Sequence, residues 1–225
     1  MKVYSSPICP FVQRVNAVLE AKKLKYEVEY VDLMNLPDWF IEISPNAEVP
    51  ILETDNNAVL FESFAICEYL EEMYSPDLHP KNSEQKAIHR AWARQAATQY
   101  LVQCSTQRSA TEEILEKKTE VFVQLFAKVE KVLGDGPYFD GVKLSMVDTA
   151  WIPILHRSAI IKQFTGFDFL KDYPKVIQWQ QALLETDVLK NSVPEMFEEY
   201  FIQFYLNEER YLGRLMNASE EIAHG

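Results

Sequence analysis

The periodicity of this chain changes character once, near residue 80, and that change constrains the fold more than any single motif. Up to about residue 75, short strand-like runs take turns with helical patterns, whereas beyond residue 83 helical spacing continues with no credible strand. The first part opens with a strand at Val3-Tyr4. A helix follows in which Phe11, Val12, Val15, Val18 and Leu19 form one apolar stripe and Asn16, Glu20, Lys22 and Lys23 the opposite, polar side. A second strand is expected over residues 26–31, a short helical piece around 37–41, and a third strand over 47–53, entered through Pro50. Asp55-Asn56-Asn57 supplies turn chemistry for a hairpin to residues 58–61, and a helix runs from Glu62-Ser63 to about Tyr74. Strand, helix and strand in succession make a βαβ unit with parallel strands.

The second part reads as helices over residues 84–108, 112–133, 145–162, 174–184 and 194–212. The expected organisation is an α/β domain over 1–75 in the order βαβαββα, a polar, proline-bearing linker over 76–83, and an all-α domain over 84–225. The loop 134–141 is rich in turn residues, and Ser145 with Asp148 three residues later reads as a capping pair, so Asp148 is expected to specify the fold. The aromatics Phe197, Tyr200, Phe201, Phe204, Tyr205 and Tyr211 recur at helical spacing and are expected to cover the core.

A chain of 225 residues buries about 70–75% of the surface its unfolded form exposes. Its carboxylates exceed its lysines and arginines by twelve, with no basic run, and the phosphate neutralisation that a nucleic-acid partner needs is missing. Three cysteines, Cys9, Cys67 and Cys104, without a Cys-x-x-Cys pair argue against a disulfide scaffold or zinc site and for a reducing compartment. His79, His89, His156 and His224 show no metal-ligand spacing. Met1 to Tyr4 enter a strand at once, and no apolar run approaches ~18 residues. The expectation is a cytoplasmic protein with no metal, no nucleic-acid partner and no membrane partner.

Chemistry concentrates in Ser5-Ser6-Pro7-Ile8-Cys9-Pro10-Phe11. A strand runs into a Ser/Pro turn, a cysteine follows, and Pro10 suits the first position of a helix because its missing N–H would have had no partner. Unpaired N–H groups of a first helical turn favour a thiolate, so the Cys9 pKa is expected to fall from ~8.5 into the range of about 3.5–7.5. Cys67, on an apolar helix face, and Cys104, with nothing nearby in sequence to activate it, are read as buried hydrophobes.

Cys9-Pro10-Phe11 after a strand and turn, with Arg14 beyond, resembles the active-site stretch of the cysteine-type, omega-like glutathione transferases, and the βαβαββα order resembles their thioredoxin-like N-terminal domain. The resemblance implies the glutathione transferase fold, glutathione as co-substrate and a homodimer. It further implies a cis Val49-Pro50 bond, which exposes the backbone of Val49 to pair with an extended peptide such as glutathione. Phe11, Val49, Pro50, Glu62 and Ser63 become the glutathione-binding residues, with Cys9 catalytic. Ser63 has two readings, a plain helix N-cap or an anion site for the γ-glutamyl carboxylate. Met34 stands where omega-type enzymes usually carry a lysine that meets the glycyl carboxylate, so glutathione binding is expected to weaken unless another group, with nearby Gln13 and Arg14 as candidates, replaces that cation.

The function implied is a glutathione-dependent thiol transferase and reductase working through a Cys9–glutathione mixed disulfide, with glutathionylated thiols, dehydroascorbate or glutathionyl-quinones as substrates. Val12, where a second cysteine would stand, favours the monothiol route. The alternatives are a conjugating transferase that activates glutathione through Ser5 or Tyr4, and a non-enzymatic regulator resembling stringent starvation proteins or chloride intracellular channel proteins.

Overall fold

The computed structural model describes residues 1–224, with side chains described through residue 218. The N-terminal region runs β1 (Lys2–Ser5), α1 (Pro10–Ala21), β2 (Glu27–Tyr30), α2 (Asp38–Ile43), β3 (Ile51–Glu53), β4 (Val59–Phe61) and α3 (Ser63–Met73). This is the βαβαββα order expected. The strands form one mixed sheet in the order β2-β1-β3-β4, with β1 parallel to β2 and antiparallel to β3, and β3 antiparallel to β4. Parallel pairing of β1 and β2 follows from the crossover through α1. The third strand is shorter than the sequence suggests. It begins only at Ile51, because Ala47 has a positive φ of 53° and the Val49-Pro50 peptide is cis, so the chain reaches the ladder after Pro50.

Helix α1 is capped by Cys9, with Pro10 at its first position, and it buries Val12, Val15, Val18 and Leu19 as its stripe requires. Its expected solvent face is largely absent. Asn16 and Lys22 are buried too, because α1 packs between α3 and later helices of the chain. Lys22 meets Glu71 at 2.7 Å, with both side chains almost wholly covered, and donates to the carbonyls of Tyr74 and Pro76. Glu71 accepts from the N–H groups of Leu78 and His79. The stretch expected as a polar linker is therefore strapped to α3, with Leu78 and His79 buried.

The helical region comprises α4 (Ser83–Gln107), α5 (Glu112–Phe122), α6 (Gln124–Val129), α7 (Met146–Thr165), α8 (Pro174–Leu184), α9 (Asp187–Asn191), α10 (Phe197–Tyr205) and α11 (Tyr211–His224). Two expected helices are each divided. Val123 separates α5 from α6, and the stretch 206–210 separates α10 from α11. At the second break Asn207 turns its side chain onto the carbonyls of Gln203 and Phe204 and accepts from the Glu209 N–H, which competes with helix continuation. Helix α9 was missed, being short and announced only by the Thr186 cap on the Leu189 N–H.

Helix α7 is buried on nearly every side and forms the axis of this region. Asp148 anchors its start. Its carboxylate accepts from the Ser145 N–H and hydroxyl, both at 2.7 Å, from the Phe139 N–H at 2.9 Å, and from Trp179 Nε1 at 2.6 Å. The expected capping box is thus present and extended to two further segments. Of the tail aromatics, Phe197, Phe201 and Tyr205 enter the core, whereas Tyr200 and Phe204 stay exposed. No helix among the described residues is long and apolar enough to cross a membrane.

Candidate active site

A cleft of about 470 Å³ opens between the N-terminal ends of α1 and α3 and the turn before β3, and Cys9, Phe11, Val49, Pro50, Glu62 and Ser63 all line it. These six are the residues singled out from the sequence, brought together from positions more than fifty residues apart. Cys9 comes from the cap of α1, Val49 and Pro50 from the cis turn, and Glu62 and Ser63 from the start of α3.

The thiol of Cys9 approaches the carbonyl of Val49 at 4.0 Å, a weak contact for a sulfur donor. Apart from that contact the N–H and C=O of Val49 make no hydrogen bond among the described residues. A buried backbone pair left open in this way is a docking edge for an extended peptide.

Ser63 is not the N-cap of α3. That place belongs to Glu62, which has φ 65° and ψ 109°, well outside the usual basins, and whose side chain does not cap the helix. Asn46 holds the Glu62 carboxylate at 3.3 Å. Among the described residues the Ser63 hydroxyl has no partner and the first-turn N–H groups of α3 lack a side-chain cap, so this end of the cleft offers donors to an anion.

The charge state of Cys9 differs from expectation. Cys9 keeps part of its surface open to the cleft, yet burial pushes its thiol up, outweighing the N–H groups of Val12 and Phe11 and the guanidinium of Arg157, which pull it down. The sequence displays the helix end but not the walls around the sulfur. Cys67 behaves as a buried hydrophobe, with its thiol pushed up to about 11 by burial. Cys104 is half-buried, with Arg157 and Tyr205 facing it, neighbours that the sequence does not show.

Neither Gln13 nor Arg14 replaces the missing cation. Gln13 is buried against His156, Ser192 and Arg157, while Arg14 is buried with its guanidinium over the ring of Phe64 at 5.4 Å. Met34 is 94% exposed beside Leu33, which lines the cleft. Among the described residues no lysine, arginine or histidine lines this cleft, and Glu48 and Glu62 make its wall acidic. The hydroxyls of Tyr4 and Ser5 are equally remote: Tyr4 donates to Glu53 at 2.8 Å, and Ser5 is buried with its hydroxyl on the Ser6 carbonyl. Activation of a bound thiol by either group is not supported by this geometry.

Sequence reasoning missed Asn46, Glu48, Leu33 and Leu101, which line the cleft from irregular segments or a helix face without a motif. It also missed Arg157, although a lone arginine in the apolar run of α7 was a usable signal. Among the described residues no cluster of His, Cys, Asp or Glu could hold a metal ion, and the side chain of His224 lies outside the described residues.

Comparison with known proteins gives the family and the fold. The model of the glutathione S-transferase N-terminal domain matches residues 8–73, and that of the C-terminal domain matches residues 112–182. The chain is 30% identical over 188 residues to Glutathione S-transferase omega-1 of Sus scrofa, spanning 82% of this chain and 77% of that protein. It is 28% identical over 181 residues to Probable glutathione S-transferase DHAR1, cytosolic, of Oryza sativa subsp. japonica, spanning 80% and 81% of the two. The crystal structure of rice GST1 in complex with glutathione superposes with a TM-score of 0.78 at 22% identity, over 96% of each chain, a likeness of fold.

Proposed function

Since the chain belongs to the glutathione S-transferase family and is a glutathione-dependent transferase or reductase with omega-class relatives, we propose that it is a thiol transferase and reductase working through a Cys9–glutathione mixed disulfide. The observation that carries this reading is the position of the Cys9 thiol in the same cleft as the open backbone of Val49 and the donors at Ser63. Glutathione docks as an added strand on Val49, with its γ-glutamyl carboxylate at Ser63 and its sulfur against Cys9.

In the forward half-reaction the Cys9 thiolate attacks the glutathione sulfur of a glutathionylated substrate. The substrate S–S bond breaks, its thiolate leaves and takes a proton from water, and Cys9–S–S–glutathione forms. A second glutathione thiolate then attacks the glutathione sulfur of that disulfide, releasing oxidised glutathione and the Cys9 thiolate. Cys9→Ala tests the scheme: thiol transfer disappears, and the adduct seen by mass spectrometry after incubation with oxidised glutathione is lost. Surviving turnover would favour conjugation instead.

The reading includes a cytoplasmic homodimer. The unpaired cysteines support a reducing compartment, and exposed Val59 and Phe61 on edge strand β4, with Met73 on α3, supply an apolar face for a second copy. Sedimentation at micromolar concentration tests it, and a monomer would overturn it.

A further inference from the structure

Arg157 on α7 is fully buried, yet no carboxylate pairs with it among the described residues. All its hydrogen-bond partners are neutral: Nη1 donates to Gln13 Oε1 and to the Pro153 carbonyl at 3.0 Å, and Nη2 donates to the Ile8 carbonyl at 3.0 Å. Nε has no partner. An arginine does not shed its proton in a protein, and a buried charge is costly unless an opposite charge compensates it. This guanidinium therefore stores a positive field that the resting chain leaves uncompensated.

The groups facing it show where compensation comes from. Ile8, whose carbonyl it holds, directly precedes Cys9. From α4 come Tyr100 and Cys104, and from α10 Tyr205, with the ring of Phe197 at 5.3 Å. His156, adjacent on α7, is held neutral by burial and by Arg157. Arg14 on α1 lies over the ring of Phe64 and faces Cys67 and Tyr100, and Glu48 and Glu62 lie in the wall of the cleft, where they oppose a negative sulfur. Of the acids near the guanidinium, Cys9 is the one that also lines the substrate cleft.

We propose that Arg157 is a positioning residue, the buried counter-cation of the Cys9 thiolate. The inference rests on the reading of Cys9 as nucleophile. When the Cys9 S–H loses its proton to water, the thiolate supplies the missing negative charge. The same field acts again in the second half-reaction, where glutathione attack expels Cys9 as a thiolate, so one residue eases both steps. Gln13 shares the task by holding the guanidinium through a neutral oxygen, which orients it without neutralising it.

The experiment is the pH dependence of Cys9 alkylation by iodoacetamide in the full chain, read on the Cys9 peptide by mass spectrometry. Arg157→Met is expected to raise the apparent pKa of Cys9 by about one unit, roughly a tenfold loss of rate at pH 7, and Arg157→Lys to restore most of it. Gln13→Glu, of nearly the same shape, gives the guanidinium a carboxylate and is expected to raise the Cys9 pKa similarly. It keeps the test open if Arg157→Met does not fold. An unchanged Cys9 profile in the folded variants, or a shift confined to the Cys104 peptide, would overturn the proposal. Turnover surviving in Cys9→Ala would sink the mixed-disulfide scheme while leaving the alkylation result standing.

Discussion

The Cys9 thiol and the Val49 carbonyl face each other at 4.0 Å across a cleft that no local segment of the chain contains. That relationship joins the cap of α1 to the cis turn before β3, and so sets a thiol beside open backbone groups. It also implies competition, since a peptide that pairs with Val49 displaces the weak thiol contact and leaves the sulfur free to react.

Loss of the sulfur should be decisive. Cys9→Ala is expected to lower kcat/KM for deglutathionylation of a model mixed disulfide by about 10⁴-fold, whereas Cys67→Ala and Cys104→Ala retain turnover. Because burial pushes the Cys9 thiol up, the reactive thiolate is scarce at neutral pH, and the wild-type rate should climb about tenfold per pH unit from pH 6.5 towards alkaline values. A plateau already reached at pH 6.5 contradicts the raised pKa.

Binding of the glycyl carboxylate should improve with an added cation. Met34 is exposed beside cleft-lining Leu33, and among the described residues the cleft wall carries acidic but no basic side chains. Met34→Lys is expected to reduce KM for glutathione about two- to fivefold, the worth of a solvent-exposed ion pair, with kcat unchanged and the gain fading at high salt. An unchanged KM at low salt places that carboxylate elsewhere.

The strap between α3 and the following segment should matter to stability. Glu71→Ala leaves Lys22 buried without its counter-charge and strands the N–H groups of Leu78 and His79, so urea unfolding should show a loss of about 3–5 kcal/mol. Lys22→Met should cost less, because Glu71 keeps its two backbone donors. Equal losses from the two variants count against this account.

His156 makes the fold acid-sensitive. Burial, reinforced by Arg157, pushes its pKa down to about 3 in the folded chain, against ~6.5 when unfolded, so the folded state binds fewer protons between these values. Its contribution to stability is complete above about pH 6.5 and is lost as pH falls towards 3. Thermal melts at pH 7.5, 5.5 and 4.5 should drop more steeply for the wild type than for His156→Gln, and parallel curves exclude this histidine as the source.

Much of the molecule is written locally. Period-two and period-3.6 patterns determine β1 to β4 and the long helices, Pro10 marks the first residue of α1, and Ser145 with Asp148 marks the start of α7, because each depends on neighbours within a turn or a strand. Through its motifs and the resemblance they carry, the sequence by itself also named Cys9, Phe11, Val49, Pro50, Glu62 and Ser63. Tertiary structure alone decided what surrounds them. Polarity on α1 predicts solvent, but Gln13, Asn16 and Lys22 are buried because later segments supply partners for them. The helix end predicts an acidic thiol, but the cleft walls remove the water that would stabilise its charge. Arg157 arrives beside Cys9 from almost one hundred and fifty residues away. Burial and long-range electrostatics are sums over the whole packed chain, and no window of sequence contains them.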